Sequence, residues 1–168
     1  MRILYQSNTI IIREFLPAEL SIFSKLFEDE NVTRYLPYRS PEWYIEAFHD
    51  SLEDYKKGPF GRWGIFDVVN NDFIGMCLAR VFTDVPAQVE IGYTLSPAYW
   101  GKGIATECSK ALVVYCFANT DTGEVVAVTD LDNIGSQKVL EKAGLRRQDN
   151  LMRGEAELAY FMIRRSEL

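Results

Sequence analysis

The chain has 168 residues, and its hydrophobic share of 48% with 13% aromatic residues suits a packed globular core and not a disordered segment. A formal net charge of −6 argues against general nucleic-acid binding, which needs a basic surface; it is compatible with a cationic acceptor such as an amine, and equally with ordinary solubility. No apolar run reaches the roughly 18 residues of a membrane span, and the N-terminus lacks the apolar segment of a signal peptide, so we expect one cytoplasmic domain, residues 1–168, that contacts no membrane.

The first third of the chain predicts a strand followed by two helices. Alternation of apolar residues indicates a strand over Thr9–Glu14, and an apolar stripe at helical spacing indicates a helix over Pro17–Glu28. The stretch Asn31–Ser40 is rich in aromatic and arginine residues and predicts irregular structure. Helical spacing returns over Pro41–Lys57, and Gly58-Pro59 ends this second helix.

Two strands and a hairpin turn follow. Trp63–Val69 and Phe73–Val81 have the composition of strands, and the Asn and Asp residues between them tolerate the left-handed backbone of a tight turn. A looser connection over Thr83–Gln88 leads to Val89–Leu95, where strict alternation predicts another strand.

A glycine-bearing turn and a long helix come next. Pro97 ends the preceding strand, because proline has no N–H group for a ladder. Gly101 and Gly103 precede a helix that runs to Asn119 with one apolar face. The first turn of such a helix offers unpaired N–H groups and the positive end of the helix dipole, which together suit a phosphate or pyrophosphate.

The last part of the chain predicts a short buried strand, a helix and two further strands. These lie over Val125–Thr129, Asn133–Ala143, Leu145–Leu151 and Leu158–Ile163, and the polar segment Met152–Glu157 is the expected turn between the last two. The order of elements predicts a mixed sheet with helices on both faces, in a three-layer domain of the α/β or α+β class.

The cysteines and the single histidine do not indicate a metal site. Cys77, Cys108 and Cys116 have no metal-ligand spacing, and the latter two lie on the apolar helix face, so we expect reduced core residues. His49 has no second histidine with which to build a metal site or a catalytic triad, and we expect it at a helix surface or boundary.

Three interpretations compete for the glycine-bearing turn. The first is an ordinary strand–turn–helix connection. The second is a dinucleotide-binding fingerprint, G-x-G-x-x-G, for a nicotinamide or flavin enzyme; it is weak because Thr106 occupies the third glycine position and no acidic residue closes a second strand. The third is the pyrophosphate loop of an acyl-CoA enzyme, Q/R-x-x-G-x-G/A, which the sequence fits over Gly101–Ala105.

The third interpretation is supported by a family resemblance. The run GYTLSPAYWGKGIATE, followed about 30 residues later by NIGSQKVLEKAGL, resembles the GNAT (Gcn5-related N-acetyltransferase) superfamily over nearly the whole chain. The nearer resemblance is to the branch of RimJ/RimL ribosomal-protein N-terminal acetyltransferases. Trp100 stands where the wider superfamily has Gln or Arg, and an aromatic residue there is frequent in the RimJ/RimL branch. The resemblance implies the GNAT fold, with a mostly antiparallel mixed sheet, and acetyl-CoA as co-substrate without a metal.

The resemblance also implies contacts with the coenzyme. The pantetheine arm would lie in a wedge between the strands Val89–Leu95 and Val125–Thr129 and pair with backbone groups. In this chain the contacts implied for the arm, the pyrophosphate and the pantetheine amides are Tyr93, Thr94, Leu95, Gly101, Lys102, Gly103, Ile104, Ala105, Thr106 and Asn133.

Two residues are candidates for acid–base catalysis. By resemblance, Glu90 is the base that deprotonates the incoming ammonium; the alternative is a strand residue that faces solvent or pairs with an arginine. Ser136 is the candidate proton donor to the thiolate, because Leu140 stands where the superfamily often has a tyrosine; a water is the alternative. Asn133 and Ser136 share one face of a helix, and Asn133 is also a good N-cap.

The acceptor is less defined than the coenzyme. The resemblance places acceptor contacts in the region of Asn31–Lys57, with Arg34, Tyr35, Tyr38 and Trp43 as candidates; the alternative is packing of an aromatic-rich helix pair. We predict acetyl-CoA-dependent acetylation of a primary amine, on a protein N-terminus or a small molecule. The resemblance is compatible with a homodimer, since family members often dimerise. A non-catalytic acyl-CoA-binding module of the same fold is the alternative.

Overall fold

The computed structural model describes all residues from 1 to 168, and nine strands form one sheet. The strands are β1 (Ile3–Gln6), β2 (Ile10–Arg13), β3 (Gly61–Asp67), β4 (Phe73–Val81), β5 (Val89–Leu95), β6 (Glu124–Asp130), β7 (Arg146–Arg147), β8 (Leu151–Arg153) and β9 (Ala156–Arg164). The helices are α1 (Leu20–Leu26), α2 (Glu30–Thr33), α3 (Pro41–Asp54), α4 (Ile104–Asn119) and α5 (Ile134–Lys142).

The sheet is mixed, which confirms the predicted fold class. Its strand order is β1-β2-β3-β4-β5-β6-β9-β7, and β8 pairs with β9 outside this path. β5 and β6 are parallel, with Val89 opposite Val125 and Glu90 opposite Val126. The pairs β1/β2, β2/β3, β6/β9, β7/β9 and β8/β9 are antiparallel.

The contacts between residues divide the chain into two compact units. Unit 1 comprises residues Met1–Leu78 and Tyr93–Ile104, and unit 2 comprises Ala79–Gly92 and Ala105–Leu168. β4 passes from unit 1 into unit 2, and β5 passes back. The prediction of a single domain over residues 1–168 stays a prediction.

Unit 1 has an aromatic core beneath its first helices. Phe15 lies 5.5 Å from Phe23 and 5.4 Å from Phe48 between ring centroids, and all three side chains are buried. α3 begins at Pro41 because the Ser40 hydroxyl accepts the Trp43 N–H and proline needs no partner in a first turn. These interactions place the buried face of α3 on the core.

Unit 2 is built on α4 and α5. The predicted apolar face of α4 is confirmed at Cys108, Leu112 and Cys116, which are buried, and none of the three cysteines of the chain forms a disulfide. Burial raises the pKa of the Cys116 thiol to about 12. Gly144 ends α5 with a left-handed backbone, φ +96°, as the sequence predicts.

The structure differs from the predicted elements in four details. The sequence analysis missed β1 and the short α2, and the predicted strand Leu145–Leu151 contains only β7 and the first residue of β8. The turn expected over Met152–Glu157 is present but shorter: it consists of the two residues between Arg153 and Ala156, which pair with each other. Gly154, with φ +62°, supplies the left-handed backbone that a two-residue hairpin turn needs.

No helix is both long enough and apolar enough to serve as a membrane span.

Candidate functional site

The glycine loop, defined as Trp100–Gly103, connects the end of β5 to the start of α4. Pro97–Tyr99 forms one 3-10 turn after β5, and the Trp100 N–H donates to the Pro97 carbonyl at 3.1 Å. Gly101 and Gly103 then take left-handed backbone angles, φ +72° and +80°. An added Cβ would meet no atom within 4 Å at either glycine, so the backbone angle and not crowding requires glycine there.

The glycine loop is exposed and leads directly into the 16-residue helix α4. The N–H groups of Ile104, Ala105 and Thr106 belong to the first turn, where an α-helix offers no acceptor four residues earlier. The Lys102 ammonium lies 5.3 Å from the centroid of the Tyr99 ring and is exposed. The structure therefore has the local geometry of an anion site at residues 101–106.

Trp100 ties the glycine loop to the end of β5. Its indole Nε1–H donates to the backbone carbonyl of Leu95 at 2.9 Å, while the side chain remains 50% exposed. A half-exposed indole stabilises the fold less by burial than a core tryptophan does. The hydrogen bond is therefore the main interaction that we assign to Trp100. The bond fixes the direction in which the loop leaves the strand.

Near the C-terminal end of β5, one backbone edge of the strand faces β4 and the other edge does not. The Ser96 N–H donates to the Ile74 carbonyl at 2.8 Å, and a Cβ on Gly75 would come within 2.2 Å of the Thr94 carbonyl oxygen. Thr94 O therefore faces β4, and Leu95 O faces the opposite edge because successive carbonyls of a strand alternate. Trp100 binds this second edge, and the backbone groups of Tyr93 also lie on it.

Glu90 is buried, with 6% of its surface exposed, and pairs with arginine. The Arg80 Nε–H donates to Glu90 Oε2 at 2.8 Å, and Arg153 Nη1 lies 3.9 Å from Oε1. Arg153 also donates two hydrogen bonds to Asp84, at 3.0 and 3.2 Å. The structure thus shows the arginine pairing that the sequence analysis gave as an alternative, and Oε1 is the less tightly held oxygen.

Asn133 and Ser136 meet at the start of α5. The Asn133 side-chain oxygen accepts the Ser136 N–H at 3.2 Å, which makes Asn133 the N-cap of the helix. Both residues are partly exposed, while Leu140 is buried in the core. The capping alternative is therefore confirmed, and it fixes the backbone of Ser136.

The candidate acceptor residues lie between α2 and α3 or on the first turn of α3. Tyr38 is 87% exposed and Trp43 is 37% exposed. The Arg34 guanidinium lies 5.3 Å from the centroid of the Tyr35 ring. Tyr44, the neighbour of Trp43, points inward instead, and burial raises the pKa of its phenol. Tyr38 and Trp43 are thus accessible to an acceptor.

The sequence analysis missed the partners of these residues. Arg80 and Arg153 come from β4 and β8, and no local pattern pairs them with a carboxylate on β5. Arg39 and Arg62 both contact the Trp43 ring, although Arg62 comes from β3. The abundance of arginine in Asn31–Ser40 was the available signal for Arg39.

Comparison with known proteins identifies the fold and the family. The sequence model of the acetyltransferase (GNAT) domain matches residues 9–146. The Bacillus subtilis protein YnaD, described as an uncharacterized N-acetyltransferase, is 36% identical over 144 residues, which cover 84% of this chain and 82% of that protein.

Solved structures agree with this assignment. RimL, a ribosomal L7/L12 alpha-N-protein acetyltransferase in complex with coenzyme A, has a TM-score of 0.82 at 16% identity and covers 97% of this chain and 98% of its own. An aminoglycoside acetyltransferase in complex with coenzyme A has a TM-score of 0.80 at 17% identity, with coverage of 95% and 96%. At these identities the two structures support the fold and do not indicate the acceptor.

Proposed function

The chain belongs to the GNAT family and is an acetyltransferase, and from this we propose that it transfers the acetyl group of acetyl-CoA to the primary amine of a protein N-terminus or a small molecule. The observation that carries the proposal is the glycine loop, which joins β5 to the N-terminus of α4 with two left-handed glycines. Within the family we propose a RimJ/RimL-like branch, on the basis of Trp100 in that loop.

We propose that the glycine loop and the first turn of α4 bind the pyrophosphate of the coenzyme. Backbone N–H groups and the helix dipole favour a bound anion without a specific side chain, and the loop is exposed. Lys102 adds a positive charge beside the same segment, and Thr106 adds a hydroxyl. The proposed contacts are Gly101, Lys102, Gly103, Ile104, Ala105 and Thr106.

The backbone near the end of β5 is the proposed site for the pantetheine arm and the thioester. Among Tyr93, Thr94 and Leu95, the Thr94 carbonyl faces β4 and the Leu95 carbonyl faces the other edge. The arm therefore has Tyr93 and Leu95 as its backbone partners on that edge, and Trp100 already occupies the Leu95 carbonyl. This leaves the N–H of Leu95 as a donor for a carbonyl of the ligand. Asn133 is the proposed contact with the pantetheine amides.

The reaction requires a neutral amine, an oriented thioester and a proton for the departing thiolate. The amine nitrogen attacks the acetyl carbon, the C–S bond breaks, and the amine loses one proton while the thiolate gains one. We propose Glu90 as the base, through Oε1 and a water, and the Ser136 hydroxyl as the proton donor. The Arg80 pair orients the Glu90 carboxylate from the opposite oxygen.

Replacement of Glu90 by glutamine tests its proposed role. We expect kcat to fall by about 10²- to 10⁴-fold while the KM for acetyl-CoA stays the same, because general base catalysis contributes on that scale. Asp84→Asn is the matched control, since it also removes a carboxylate partner of Arg153 but leaves Glu90 in place. A Glu90→Gln enzyme with wild-type turnover and an unchanged pH–rate profile would exclude Glu90 as the base.

The function itself is tested by an acceptor screen. Purified protein is mixed with acetyl-CoA and with N-terminal peptides, polyamines, aminoglycosides and amino acids, and thiol release is followed with time. Rapid release of coenzyme A with any amine supports the proposal. Coenzyme A binding without turnover over the whole panel would contradict it and favour the non-catalytic acyl-CoA-binding alternative.

A further inference from the structure

Arg34 and Arg39 differ from the other arginines of the chain. Neither has a carboxylate within ion-pair distance, and each is held by an aromatic ring. Of the other nine arginines, eight have guanidinium groups bound to oxygen atoms, and the ninth, Arg62, is a neighbour of the Trp43 ring. Six pair with carboxylates (Arg2, Arg13, Arg80, Arg146, Arg153 and Arg164), and Arg147 and Arg165 donate to backbone carbonyls. In a chain with 24 acidic residues and a net charge of −6, two cations without acidic partners on one short segment are notable.

A second observation concerns Trp43, whose ring has two guanidinium neighbours. The guanidinium carbons of Arg39 and Arg62 lie 5.0 and 5.9 Å from its centroid; Arg39 lies in the connection before α3, and Arg62 lies in β3. The exposed Trp43 ring therefore has guanidinium donors beside it, and a carboxylate that approaches the ring can accept their hydrogen bonds. The exposed ring of Tyr38 adds apolar surface on the same segment.

We propose that these six residues form an arginine–aromatic surface that binds an acidic peptide, the segment that follows the acceptor's N-terminal amine. The surface comprises Arg34, Tyr35, Tyr38, Arg39, Trp43 and Arg62. The inference rests on the proposed function, because it names the acceptor class of that same site. Guanidinium groups bind carboxylates in a planar, two-pronged geometry, and the rings bind the aliphatic parts of the peptide.

The charge of the surface selects among the acceptor classes. Polyamines and aminoglycosides carry several positive charges and are repelled by Arg34 and Arg39. A peptide with several acidic side chains meets separate cationic points, one at the Tyr35 ring and one at the Trp43 ring. A single small carboxylate meets one of these points at most. The whole chain has a net charge of −6 even with these arginines included, so acidic ligands are repelled elsewhere and the local positive surface is selective.

The test compares matched peptides as acceptors. Three peptides of about ten residues share the same N-terminal residue and differ at the following positions, which carry Glu, Gln or Lys. We expect kcat/KM to be about tenfold higher for the Glu peptide than for the Gln peptide, since each exposed charge pair contributes a few-fold. The Lys peptide, spermidine and kanamycin should react more slowly than the Gln peptide. Equal rates for the Glu and Gln peptides would overturn the inference, as would a free acidic amino acid that reacts as well as the Glu peptide.

Variants test whether the preference for the Glu peptide depends on the arginine–aromatic surface. Arg34→Gln and Arg39→Gln should each reduce the Glu/Gln ratio a few-fold, and Arg39→Glu should shift the preference toward the Lys peptide. Arg146→Gln, which replaces an exposed arginine paired with Glu167 in unit 2, is the matched control and should leave the ratio unchanged. An unchanged ratio in the Arg34 and Arg39 variants would refute the assignment. Coenzyme A binding confirms that each variant is folded.

Failure of the inference can be distinguished from failure of the proposed function. If no amine releases thiol, the proposed function fails, and binding of fluorescent Glu and Gln peptides to the protein then tests the surface directly. Tighter binding of the Glu peptide that depends on Arg39 supports the surface in either case. Equal binding of the two peptides contradicts it.

Discussion

At the scale of single residues, backbone angles explain the two glycines of the glycine loop. Gly101 and Gly103 lie in the left-handed region, yet the space around them is open. An alanine there would not collide with the protein, but it would need a conformation that disfavours L-residues by about 1–2 kcal/mol. The glycines are thus required by the shape of the loop and by any ligand that approaches its backbone.

Gly103→Ala should therefore weaken coenzyme binding. An alanine in the left-handed region costs about 1–2 kcal/mol, and the loop relieves this strain by leaving the conformation that binds the coenzyme. We therefore expect the dissociation constant for coenzyme A to rise about tenfold. Gly103→Asn should have a smaller effect, since asparagine tolerates the left-handed region. Isothermal titration measures both.

Gly123→Ala is the matched control for this experiment. Gly123 also has open space around it, but its φ is not positive, so an alanine fits without strain. We expect coenzyme affinity to be unchanged in this variant. If Gly103→Ala also retained full affinity, the loop would not bind the pyrophosphate in its present shape.

Cys116 gives a pH dependence of stability. Burial raises the pKa of its thiol from 9.0 to about 12, so above pH 9 the unfolded chain loses this proton while the folded chain keeps it. The stabilising contribution is complete below pH 9 and is lost as the pH rises toward 12. We expect the free energy of unfolding to fall by about 1 kcal/mol more between pH 8 and pH 10 in the wild type than in Cys116→Ala. Urea titrations at the two pH values measure the free energy of unfolding of both proteins. An equal fall in the wild type and in Cys116→Ala would contradict the prediction.

The sequence predicted some residue roles because they depend on local backbone geometry. The glycine loop, the Asn133 cap and the Gly144 stop are of this kind, as each is a property of three or four consecutive residues. The partners of Glu90 could not be predicted, since Arg80 is ten residues earlier and Arg153 arrives through the β8–β9 hairpin. Its role as a base, like that of Ser136 as an acid, stays a prediction.

At the scale of elements, the hydrogen bond of Trp100 connects the glycine loop to β5. The bond joins a loop proposed to bind the pyrophosphate to a strand edge proposed to bind the pantetheine arm. A ligand that contacts both needs them at a fixed distance, so a bond that holds them in place before binding increases affinity.

Trp100→Phe removes the N–H donor and keeps an aromatic ring. We expect the KM for acetyl-CoA to rise about 2- to 10-fold with little change in kcat, because one neutral hydrogen bond contributes about 0.5–1.5 kcal/mol. The indole N–H signal of Trp100 should exchange slowly with water in the wild type. Trp43→Phe is the control and should leave the KM for acetyl-CoA unchanged. A fall in kcat without a change in KM would indicate a different role for Trp100.

Element boundaries were predicted best where turn residues enclose a long alternating run. β4 and β5 begin and end at the predicted residues, and the turn before β4 contains Asn71 with φ +60°. β1, β7 and β8 have only two to four residues each, which is too short for a period-2 pattern to be distinguished from a loop. Their pairing with β2 and β9 forms these strands, and pairing is not visible in a local window.

At the scale of the whole molecule, β5, the glycine loop and α4 are each divided between, or assigned to, the two compact units. β5 contributes its first half to unit 2 and its last three residues to unit 1. The glycine loop lies in unit 1 up to Ile104, and the rest of α4 lies in unit 2. The sequence predicted the mixed sheet from the order of elements, but it did not predict that strands would be shared in this way, since long-range contacts decide it.

The prediction of one domain over residues 1–168 can be tested because the chain carries separate probes for the two units. Unit 1 contains all three tryptophans, Trp43, Trp63 and Trp100. Unit 2 contains the buried thiols of Cys108 and Cys116, and Cys77→Ala removes the one thiol of unit 1. Fluorescence and thiol labelling therefore follow different units during unfolding.

In Cys77→Ala protein we expect both probes to give the same urea midpoint and the same slope. β4 and β5 each contribute residues to both units, so we expect the loss of either strand to destabilise both and unfolding to be cooperative. Saturating coenzyme A should raise both midpoints together, since a ligand stabilises every part of the cooperative unit that binds it. Two separate midpoints, with only one of them shifted by the coenzyme, would show that the chain unfolds as two independent parts and that the single-domain prediction is wrong.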